Sequence, residues 1–207
     1  MATVVLHASL TFRKRFMDLG VSLALLLLLS PLLLLIAVLV NLTSPGPVLF
    51  RRSVQGLDGR PFDVLKFRSM VVNAHEMMAA DPVLRAEYAT NLKIKDDPRI
   101  TRIGRVLRRT SLDELPQLLN VGAGDMSLVG PRMLGDIELA AYGPLQAKVL
   151  SVKPGITGLW QISGRHRTSF DDRVRLDMHY IDHWSLVVDW QILVKTPLAV
   201  LSMAGAS

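Results

Sequence analysis

The sequence predicts an α+β protein embedded in one face of a membrane, and three kinds of segment support this. The run from Leu19 to Val40 is apolar except for two serines and is long enough to span a bilayer, which takes ~20 residues. Short strand-like runs at 48–50 and 62–67 flank a turn that contains glycine and proline. Helical patterns follow at 70–90, with a break at Asp81-Pro82, at 134–150 and at 170–183, and Ser127-Leu128-Val129 suits a short buried segment. The last helical pattern, at 186–203, lies beside tryptophans that suit a membrane–water interface, so an interfacial helix is expected there, with a buried core helix as the alternative.

The apolar run carries Ser30-Pro31 at its centre and basic residues on both flanks. Proline removes a backbone hydrogen bond and kinks or breaks a helix, and a preceding serine can satisfy a freed carbonyl. Arg13-Lys14-Arg15 precedes the run and Arg51-Arg52 follows it, so both ends favour the cytoplasmic side. Each half spans only ~16 Å of the ~30 Å hydrocarbon core. We therefore expect a helix–break–helix hairpin over 12–42 that enters and leaves one leaflet; a single span is the alternative.

Composition favours a membrane surface over nucleic acid as the partner of this chain. The 207 residues, most simply one domain over 1–207, hold 24 lysines and arginines against 18 acidic residues, a formal net charge of +6. Half of the residues (50%) are hydrophobic, and a basic chain of this kind suits anionic lipid. The sequence shows no recognised nucleic-acid-binding module. Without cysteine the chain has neither disulfides nor a cysteine metal site.

A pair of adjacent acids, Asp113-Glu114, stands between a basic stretch and an apolar helical pattern. Ser111, followed three residues later by Glu114, predicts a capping box and a helix that starts at Leu112. Both carboxylates would then lie in a first helical turn, beside free backbone N–H groups and the positive end of the dipole. That position suits carboxylates for purely structural reasons, and it also suits phosphate oxygens.

Several basic residues accompany the acid pair. A three-residue spacing places most of the preceding arginines on one helical face, with Ile103, Val106 and Leu107 between them on an expected buried face. Arg132 follows a proline that fixes the backbone, and its fork-shaped side chain suits phosphate. A glycine-rich loop over 153–165 could bring backbone close to a ligand or serve as a rigid connector. The basic candidates are Lys66, Arg68, Arg99, Arg102, Arg105, Arg108, Arg109, Arg132 and Arg165.

Short motifs follow one another in a definite order along the chain. They are basic-Phe-Met-Asp before the Ser30-Pro31 run, Ser44 to Phe50, Lys66-Phe67-Arg68-Ser69-Met70, Arg108 to Leu118, Gly124 to Arg132, Lys153 to Leu159 and Asp189-Trp190. In their order and number, these motifs resemble the bacterial sugar transferase family, the monotopic phosphoglycosyl transferases that act on polyprenyl phosphate. The resemblance extends over about residues 12–197, nearly the whole chain.

The resemblance implies both the chemistry and its location. In the family, a nucleotide-activated sugar, usually a UDP-sugar, gives its phosphosugar to undecaprenyl phosphate, and UMP leaves. The family's nucleophilic aspartate corresponds to Asp113, and the glutamate associated with the required Mg²⁺ corresponds to Glu114. Its basic and Pro-Arg features correspond to Lys66, Arg108 and Pro131-Arg132. The expected location is the bacterial inner membrane, with the catalytic part, 43–207, on the cytoplasmic face.

Elementary chemistry agrees with these implied roles. A carboxylate that attacks phosphorus forms an acyl phosphate and splits one difficult transfer into two steps. Two anions must approach each other, so Mg²⁺ and arginines are needed to screen their charge. Because Mg²⁺ favours one or two carboxylates plus substrate phosphates, Asp113 and Glu114 are the candidate metal ligands. Arg68 and Arg165 are further candidates for substrate binding.

Two features qualify the resemblance. Met133 stands where the family usually has the second proline of Pro-Arg-Pro, so the local backbone is less well specified there. The stretch from Trp160 to Arg165 is similar to the branch that transfers hexose 1-phosphate at the start of capsule, exopolysaccharide or O-antigen synthesis. That branch often carries an extra N-terminal multispanning portion, and this sequence resembles the catalytic core alone.

The sequence leaves several alternatives open. It does not name the sugar or the pathway, nor does it tell whether the chain is naturally short or a fragment of a larger multispanning protein. The oligomeric state is also open, with a homodimer as one option. Two rival functions are the same reaction with an N-acetylated sugar and a non-enzymatic, membrane-anchored basic binding module. The second rival predicts that Asp113 is dispensable.

Overall fold

The computed structural model describes residues 2–91, 94, 96–164 and 169–204, and it combines helices with two small sheets. The long helix α1 (Ala2–Thr43) precedes a hairpin of β1 (Leu49–Gln55) and β2 (Pro61–Phe67). The later elements are α2 (Ala74–Ala80), α3 (Pro82–Asn91), α4 (Arg102–Thr110), α5 (Gln117–Ala123), β3 (Ser127–Val129), α6 (Asp136–Ala140), α7 (Gln146–Val149), β4 (Gly155–Thr157), α8 (Leu159–Ile162), α9 (Phe170–Asp182) and α10 (Leu186–Ala204). The α+β class is therefore confirmed.

Helix α1 continues through Pro31, so the predicted interruption into two helices is wrong. Proline at position 31 cannot donate to the carbonyl of Leu27, four residues earlier. Ser30 Oγ donates to that same carbonyl at 2.8 Å, which satisfies the acceptor and lets the helix continue. The expected role of Ser30 is thus confirmed, while the path into and out of one leaflet stays a prediction.

One face of α1 rests on the body of the protein both before and after the proline. Asp18 and Ser22 are buried on one side of it, and Ile36 and Val40 on the other. Within the described residues, Phe12–Thr43 is the helical segment long and apolar enough to cross a membrane. Its opposite face exposes large apolar side chains, namely Leu19, Leu23, Leu27, Leu28, Leu34, Leu35, Val38 and Leu42.

The β1–β2 hairpin confirms the two predicted strands and the turn between them. The strands are antiparallel, with Leu49 opposite Phe67 and Gln55 opposite Pro61. Arg52 lies opposite Val64, and residues that lie opposite each other in paired strands point to the same face of the sheet. Val64 is buried in the main core, whereas Arg52 is exposed. One face of the hairpin therefore contributes both to the core and to a charged surface.

The second sheet is a short parallel pair, β3 and β4. Ser127 lies opposite Gly155, and Val129 lies opposite Thr157. All three residues of β3 are buried, as predicted for that segment. A Cβ on Gly155 would lie 2.1 Å from the backbone nitrogen of Gly130, so glycine is needed for the two backbones to meet. At Gly155, the glycine-rich loop thus serves to join the backbones of β3 and β4.

The later helices match their predictions unevenly. The helical stretch at 70–90 with a break before Pro82 is confirmed as α2 and α3, and the helix at 170–183 is confirmed as α9. The single helix predicted over 134–150 is wrong, because a 3₁₀ turn at Gly143–Leu145 separates α6 from α7. Proline at the start of that turn and glycine with a φ of +52° explain the interruption.

Helix α10 combines the two alternatives for the C-terminal segment, since one face lies in the core and the other does not. Asp189 and Ile192 are fully buried. The opposite side exposes Val187, Trp190, Val194, Leu198 and Leu201. Together with α1, this helix presents a broad apolar surface of the kind that marks membrane or partner contact.

Candidate active site

A cleft of about 1130 Å³ collects most of the predicted site residues. It lies between the charged end of the β1–β2 hairpin, α4 and the segment around Arg132. Pro47, just after α1, lines it too, so the cleft begins where the apolar helix ends. The predicted residues in its walls are Lys66, Arg68, Arg108, Asp113, Glu114 and Arg132.

The acid pair lies in a 3₁₀ turn, Leu112–Glu114, and not at the start of a helix. Ser111 has a φ of +56°, and its N–H bonds the carbonyls of Leu107 and Arg108, so it terminates α4. Its side chain makes no capping bond, and α5 begins only at Gln117. The predicted capping box is therefore wrong, because the left-handed backbone of Ser111 belongs to the preceding helix.

Glu114 anchors two of the cations that line the cleft. Lys66 Nζ lies 2.7 Å from Glu114 Oε1, and Arg132 Nη2 lies 3.3 Å from the same oxygen. The three residues come from β2, the acid turn and the segment after β3, so this contact joins three separate parts of the chain. The glutamate thus holds a lysine and an arginine at the side of Asp113.

Asp113 is buried, and burial is the main reason that its pKa rises from 3.8 to about 6. The negative charge of Glu114 raises the pKa further. Lys66 and Arg108 act in the opposite direction without offsetting these two effects. A buried carboxylate with a displaced pKa in a cleft is a typical candidate for chemistry.

Two further arginines, Arg68 and Arg108, line the cleft, and Arg108 is close enough to Asp113 to lower its pKa. Arg108 Nε donates to Ser69 Oγ at 2.8 Å. This contact depends on Gly104, because a Cβ there would lie 2.0 Å from the Ser69 carbonyl oxygen. Arg68 is buried and donates to the Ser44 carbonyl. Its Nε and Nη1 make no hydrogen bond within the described residues, which leaves donors for a bound anion.

Other predicted residues have different places. Pro131 is buried and is not among the residues that line the cleft; its carbonyl accepts from Gly155 N at 2.8 Å, which fixes the backbone just before Arg132. Arg165 lies outside the described residues. The arginines Arg102, Arg105, Arg108 and Arg109 are exposed, as expected for the stripe on α4.

Two details of the basic stretch are wrong. Val106, expected on a buried face, is 52% exposed, although Leu107 is buried as predicted. Arg99 precedes α4 and is itself buried, where its Nη2 lies 2.7 Å from an oxygen of Asp97. Arg99 therefore belongs to a local ion pair and not to the exposed stripe.

Comparison with known proteins decides the family. The model of the bacterial sugar transferase family matches residues 9–203. The chain belongs to this family. It is 48% identical over 204 residues to the UDP-galactose-lipid carrier transferase of Erwinia amylovora, a match that covers 97% of this chain and 42% of that protein. It is 45% identical over 199 residues to the undecaprenyl-phosphate galactose phosphotransferase of Salmonella typhimurium, with coverage of 94% and 42%.

A shorter family member matches along most of its own length. The exopolysaccharide production protein ExoY of Sinorhizobium fredii is 43% identical over 197 residues, which are 93% of this chain and 87% of that protein. The chain thus spans about two fifths of the two longer relatives and most of this shorter one.

For this family member, the structure adds cleft residues that sequence reasoning missed. Arg52, Glu138, Trp160, Phe170 and Arg173 line the same cleft as Asp113. Arg52 was interpreted as a residue of the membrane flank, and Trp160 only as part of a motif. Glu138 and Arg173 are 35 positions apart and belong to no shared motif, so no sequence signal could pair them.

The basic flank before the apolar run also has a different role. Lys14 Nζ lies 2.7 Å from a carboxylate oxygen of Asp189 in α10, and it donates to the Val129 carbonyl at 3.0 Å. Arg15 Nη2 donates to the Gly122 carbonyl at the end of α5, at 2.7 Å. Both side chains therefore bind the protein body, which weakens their use as markers of membrane topology.

The donor set in the cleft fits a magnesium ion that a substrate would share. No cluster of three or more metal-ligating side chains occurs in the described part of the chain, so an all-protein cage is absent there. Asp113 and Glu114 supply adjacent carboxylates, and their mutual repulsion raises the pKa of Asp113. Hard oxygen ligands of this number, completed by phosphates and water, suit Mg²⁺.

Proposed function

We propose that this bacterial sugar transferase transfers a sugar 1-phosphate, most simply hexose 1-phosphate, from a UDP-sugar to undecaprenyl phosphate, with release of UMP. The observation that carries the proposal is the buried carboxyl of Asp113 in a cleft walled by Lys66, Arg68, Arg108 and Arg132. That cleft begins at the end of an apolar helix, where a water-soluble donor and a lipid acceptor can both reach it. Two relatives named for galactose transfer support the hexose.

In the first step, an oxygen of ionised Asp113 attacks the phosphorus that bears the sugar. A bond forms between the carboxylate and phosphorus, and the bond to the bridging oxygen breaks, so UMP leaves with the electron pair. Lys66 and Arg132, already gathered on Glu114, lie where they would stabilise the charge on the phosphate oxygens.

In the second step, a phosphate oxygen of undecaprenyl phosphate attacks the same phosphorus. The bond to Asp113 breaks, the carboxylate is regenerated, and the sugar-diphosphate lipid leaves. Arg68 is suited to the incoming phosphate, because it lies beside Ser44 at the end of α1 and keeps unused donors. Two displacements at one phosphorus need no base to activate either nucleophile, since both are already anions.

Asp113 and Glu114 would hold the Mg²⁺ together with the donor's diphosphate. The ion would supply screening of the anionic charge that builds up when a carboxylate and two phosphates meet. The protein residues alone also contribute to this screening, since Lys66 and Arg108 both lower the pKa of Asp113. The requirement for the ion is tested by adding a chelator to the assay described below.

We propose further that α1, although helical throughout, bends in the membrane at Pro31, where the backbone hydrogen bond to Leu27 is missing, and so enters and leaves one leaflet of the bacterial inner membrane, with the cleft on the cytoplasmic side. Contacts of α1 with the body before and after Pro31 support this, because an upright span would carry the charged cleft into hydrocarbon. Tags at both ends of the chain should then be accessible from the cytosol. A tag accessible only from the periplasm at one end would contradict this topology.

The decisive experiment measures UMP release from UDP-galactose, UDP-glucose and UDP-N-acetylglucosamine, with undecaprenyl phosphate and Mg²⁺. Asp113→Asn should lower release by at least about 1000-fold, because the nucleophile is lost. Asp125→Asn is the matched control, since Asp125 is exposed and lies outside the cleft. Equal release from wild type and Asp113→Asn would remove Asp113 as the nucleophile.

The rival functions predict other outcomes of this experiment. Preference for UDP-N-acetylglucosamine would replace the hexose with an N-acetylated sugar and leave the mechanism intact. No release with any donor, together with binding to anionic vesicles that depends on the α4 arginines, would favour the non-enzymatic binding module.

A further inference from the structure

An acid between two arginines lines the cleft beyond Arg132. Glu138 Oε2 lies 3.3 Å from Arg52 Nη2, and Glu138 Oε1 lies 3.2 Å from Arg173 Nη1. The Arg173 guanidinium lies 4.9 Å from the centroid of the Trp160 ring, and that of Arg132 lies 5.9 Å from the same centroid. Trp160 thus links this group of residues to the cations beside Asp113.

Arg173 lies beside two acids, since it pairs with Glu138 and its Nε lies 3.9 Å from Asp177 Oδ2, and it still keeps donors that make no hydrogen bond within the described residues. These donors are Nε and Nη2, and the residue is 6% exposed. A buried donor without an acceptor costs stability unless a bound molecule provides one. Because Arg173 lines the cleft, its unused donors are available to a ligand with acceptor oxygens.

The position of this group relates it to the reacting phosphate. Phe50 lies opposite Lys66, and Arg52 is the next residue along β1 on the same face, ~7 Å further. A sugar bonded directly to the attacked phosphorus would lie at this short separation from Lys66. The uracil of the donor is further away, because a second phosphate and a ribose intervene.

We propose that Arg52, Glu138 and Arg173 form the subsite that recognises the hydroxyl groups of the donor's sugar, an inference that rests on the proposed transferase function. A hydroxyl can accept from Arg173 and donate to Glu138 at the same time, which neither a phosphate nor an apolar group can do. The negative charge of Glu138 would repel a phosphate. Trp160 packs against the Arg173 guanidinium and so holds that arginine in place. The subsite discriminates between hexoses by the direction of their hydroxyls.

The test measures donor binding by calorimetry in an Asp113→Asn background, where the donor is not consumed. The probes are UDP-galactose, UDP-glucose and UDP. Glu138→Gln should weaken the binding of the preferred UDP-hexose roughly 10- to 100-fold, as for a lost hydrogen bond to a charged group, and leave UDP binding unchanged. Asp136→Asn is the matched control, because Asp136 lies in the same helix, is exposed and bonds Gln55 instead.

A second variant guards against misfolding. In Glu138→Gln, the glutamine can still accept the hydrogen bond that Gly135 N donates to Glu138 at the start of α6. The second variant, Arg173→Lys, keeps the positive charge but loses the fork-shaped guanidinium. Both variants should bind UDP as the background protein does. They should also lose the preference between galactose and glucose donors.

The outcomes separate the subsite from the reaction. Equal weakening of UDP and UDP-hexose would assign these residues to the nucleotide or to the fold and overturn the proposal, as would unchanged binding of every probe. UDP-hexose binding that depends on Glu138, without UMP release by the wild type, would sustain the subsite and reject the transferase function. A protein that binds neither UDP nor a UDP-hexose would reject both.

Discussion

Asp113 and Asp189 are both buried carboxylates, yet their surroundings differ in kind. Asp189 is fully buried and accepts from Lys14 at 2.7 Å, Tyr180 at 2.7 Å and Trp184 at 3.1 Å. Asp113 faces the cleft beside a second acid, and the nearby cations do not offset the effect of burial on its pKa. A buried carboxylate that accepts from three donors holds separate elements of the fold together, whereas one that lies beside a second acid at a cleft, with a raised pKa, is a candidate for chemistry.

The contacts of Asp189 show which elements of the fold this carboxylate holds together. Lys14 belongs to α1, Tyr180 to α9 and Asp189 itself to α10, and the first two also donate to the Val129 carbonyl of β3. One carboxylate therefore ties the apolar helix to three elements of the body. A buried ion pair of this kind is weak as a net source of stability but costly to break on one side.

The largest effect on stability should come from Asp189→Asn. The change leaves Lys14 partly buried without its main partner, and we expect a loss of about 3 to 5 kcal/mol in the free energy of unfolding. Denaturant unfolding in detergent measures it. Asp182→Asn is the control, because Asp182 pairs with Lys148 at an exposed site, and its loss should leave stability unchanged. An Asp189→Asn protein as stable as the wild type would contradict the structural role of this network.

Asp113→Asn should change stability in the opposite direction. Because the folded state raises the pKa of Asp113 from 3.8 to about 6, folding favours the protonated carboxyl, and that contribution is lost as pH rises through about 6. At pH 8 the variant should be more stable than the wild type by at most about 3 kcal/mol. Below pH 4 the difference should vanish. Unfolding curves at both pH values measure this, and a variant less stable at pH 8 would show that Asp113 supports the fold.

The smallest effect concerns the pH dependence of the reaction. In the proposed mechanism attack requires the ionised Asp113 carboxylate, so kcat/KM should fall about tenfold for each pH unit below about 6. Glu114→Gln should move this acid limb to lower pH, because the negative charge of Glu114 raises the pKa of Asp113, although burial remains the larger cause. The measurement is UMP release across pH. An acid limb at the same pH in both proteins would show that Glu114 does not tune Asp113.

Patterns over a few neighbouring residues correctly predicted the elements that depend only on those residues. The strands of the hairpin, the buried segment at 127–129 and the helix at 170–183 are confirmed. The errors arose where two local signals competed. Ser111 and Glu114 have the spacing of a capping box, but the end of α4 takes Ser111 into a left-handed conformation. Across 134–150, Gly143 and the following proline outweighed the apolar periodicity.

Motif order grouped Lys66, Arg68, Arg108 and Arg132 with the acid pair, and in the structure all of these residues line one cleft. It could not find Glu138 or Arg173, which meet through the packing of α6 and α9. It also assigned Lys14 to the membrane flank, because a sequence shows a charge without showing its partner.

The sequence by itself determined the class of the protein, its apolar segment and the candidate acid pair, because composition, periodicity and motif order can be read from the order of residues along the chain. Only the tertiary structure decided which charges are satisfied. Lys14 finds Asp189 across 175 positions, while Asp113 lies buried beside Glu114 with its pKa raised to about 6. Burial and distance between remote residues set both outcomes, and these exist only once the chain is folded.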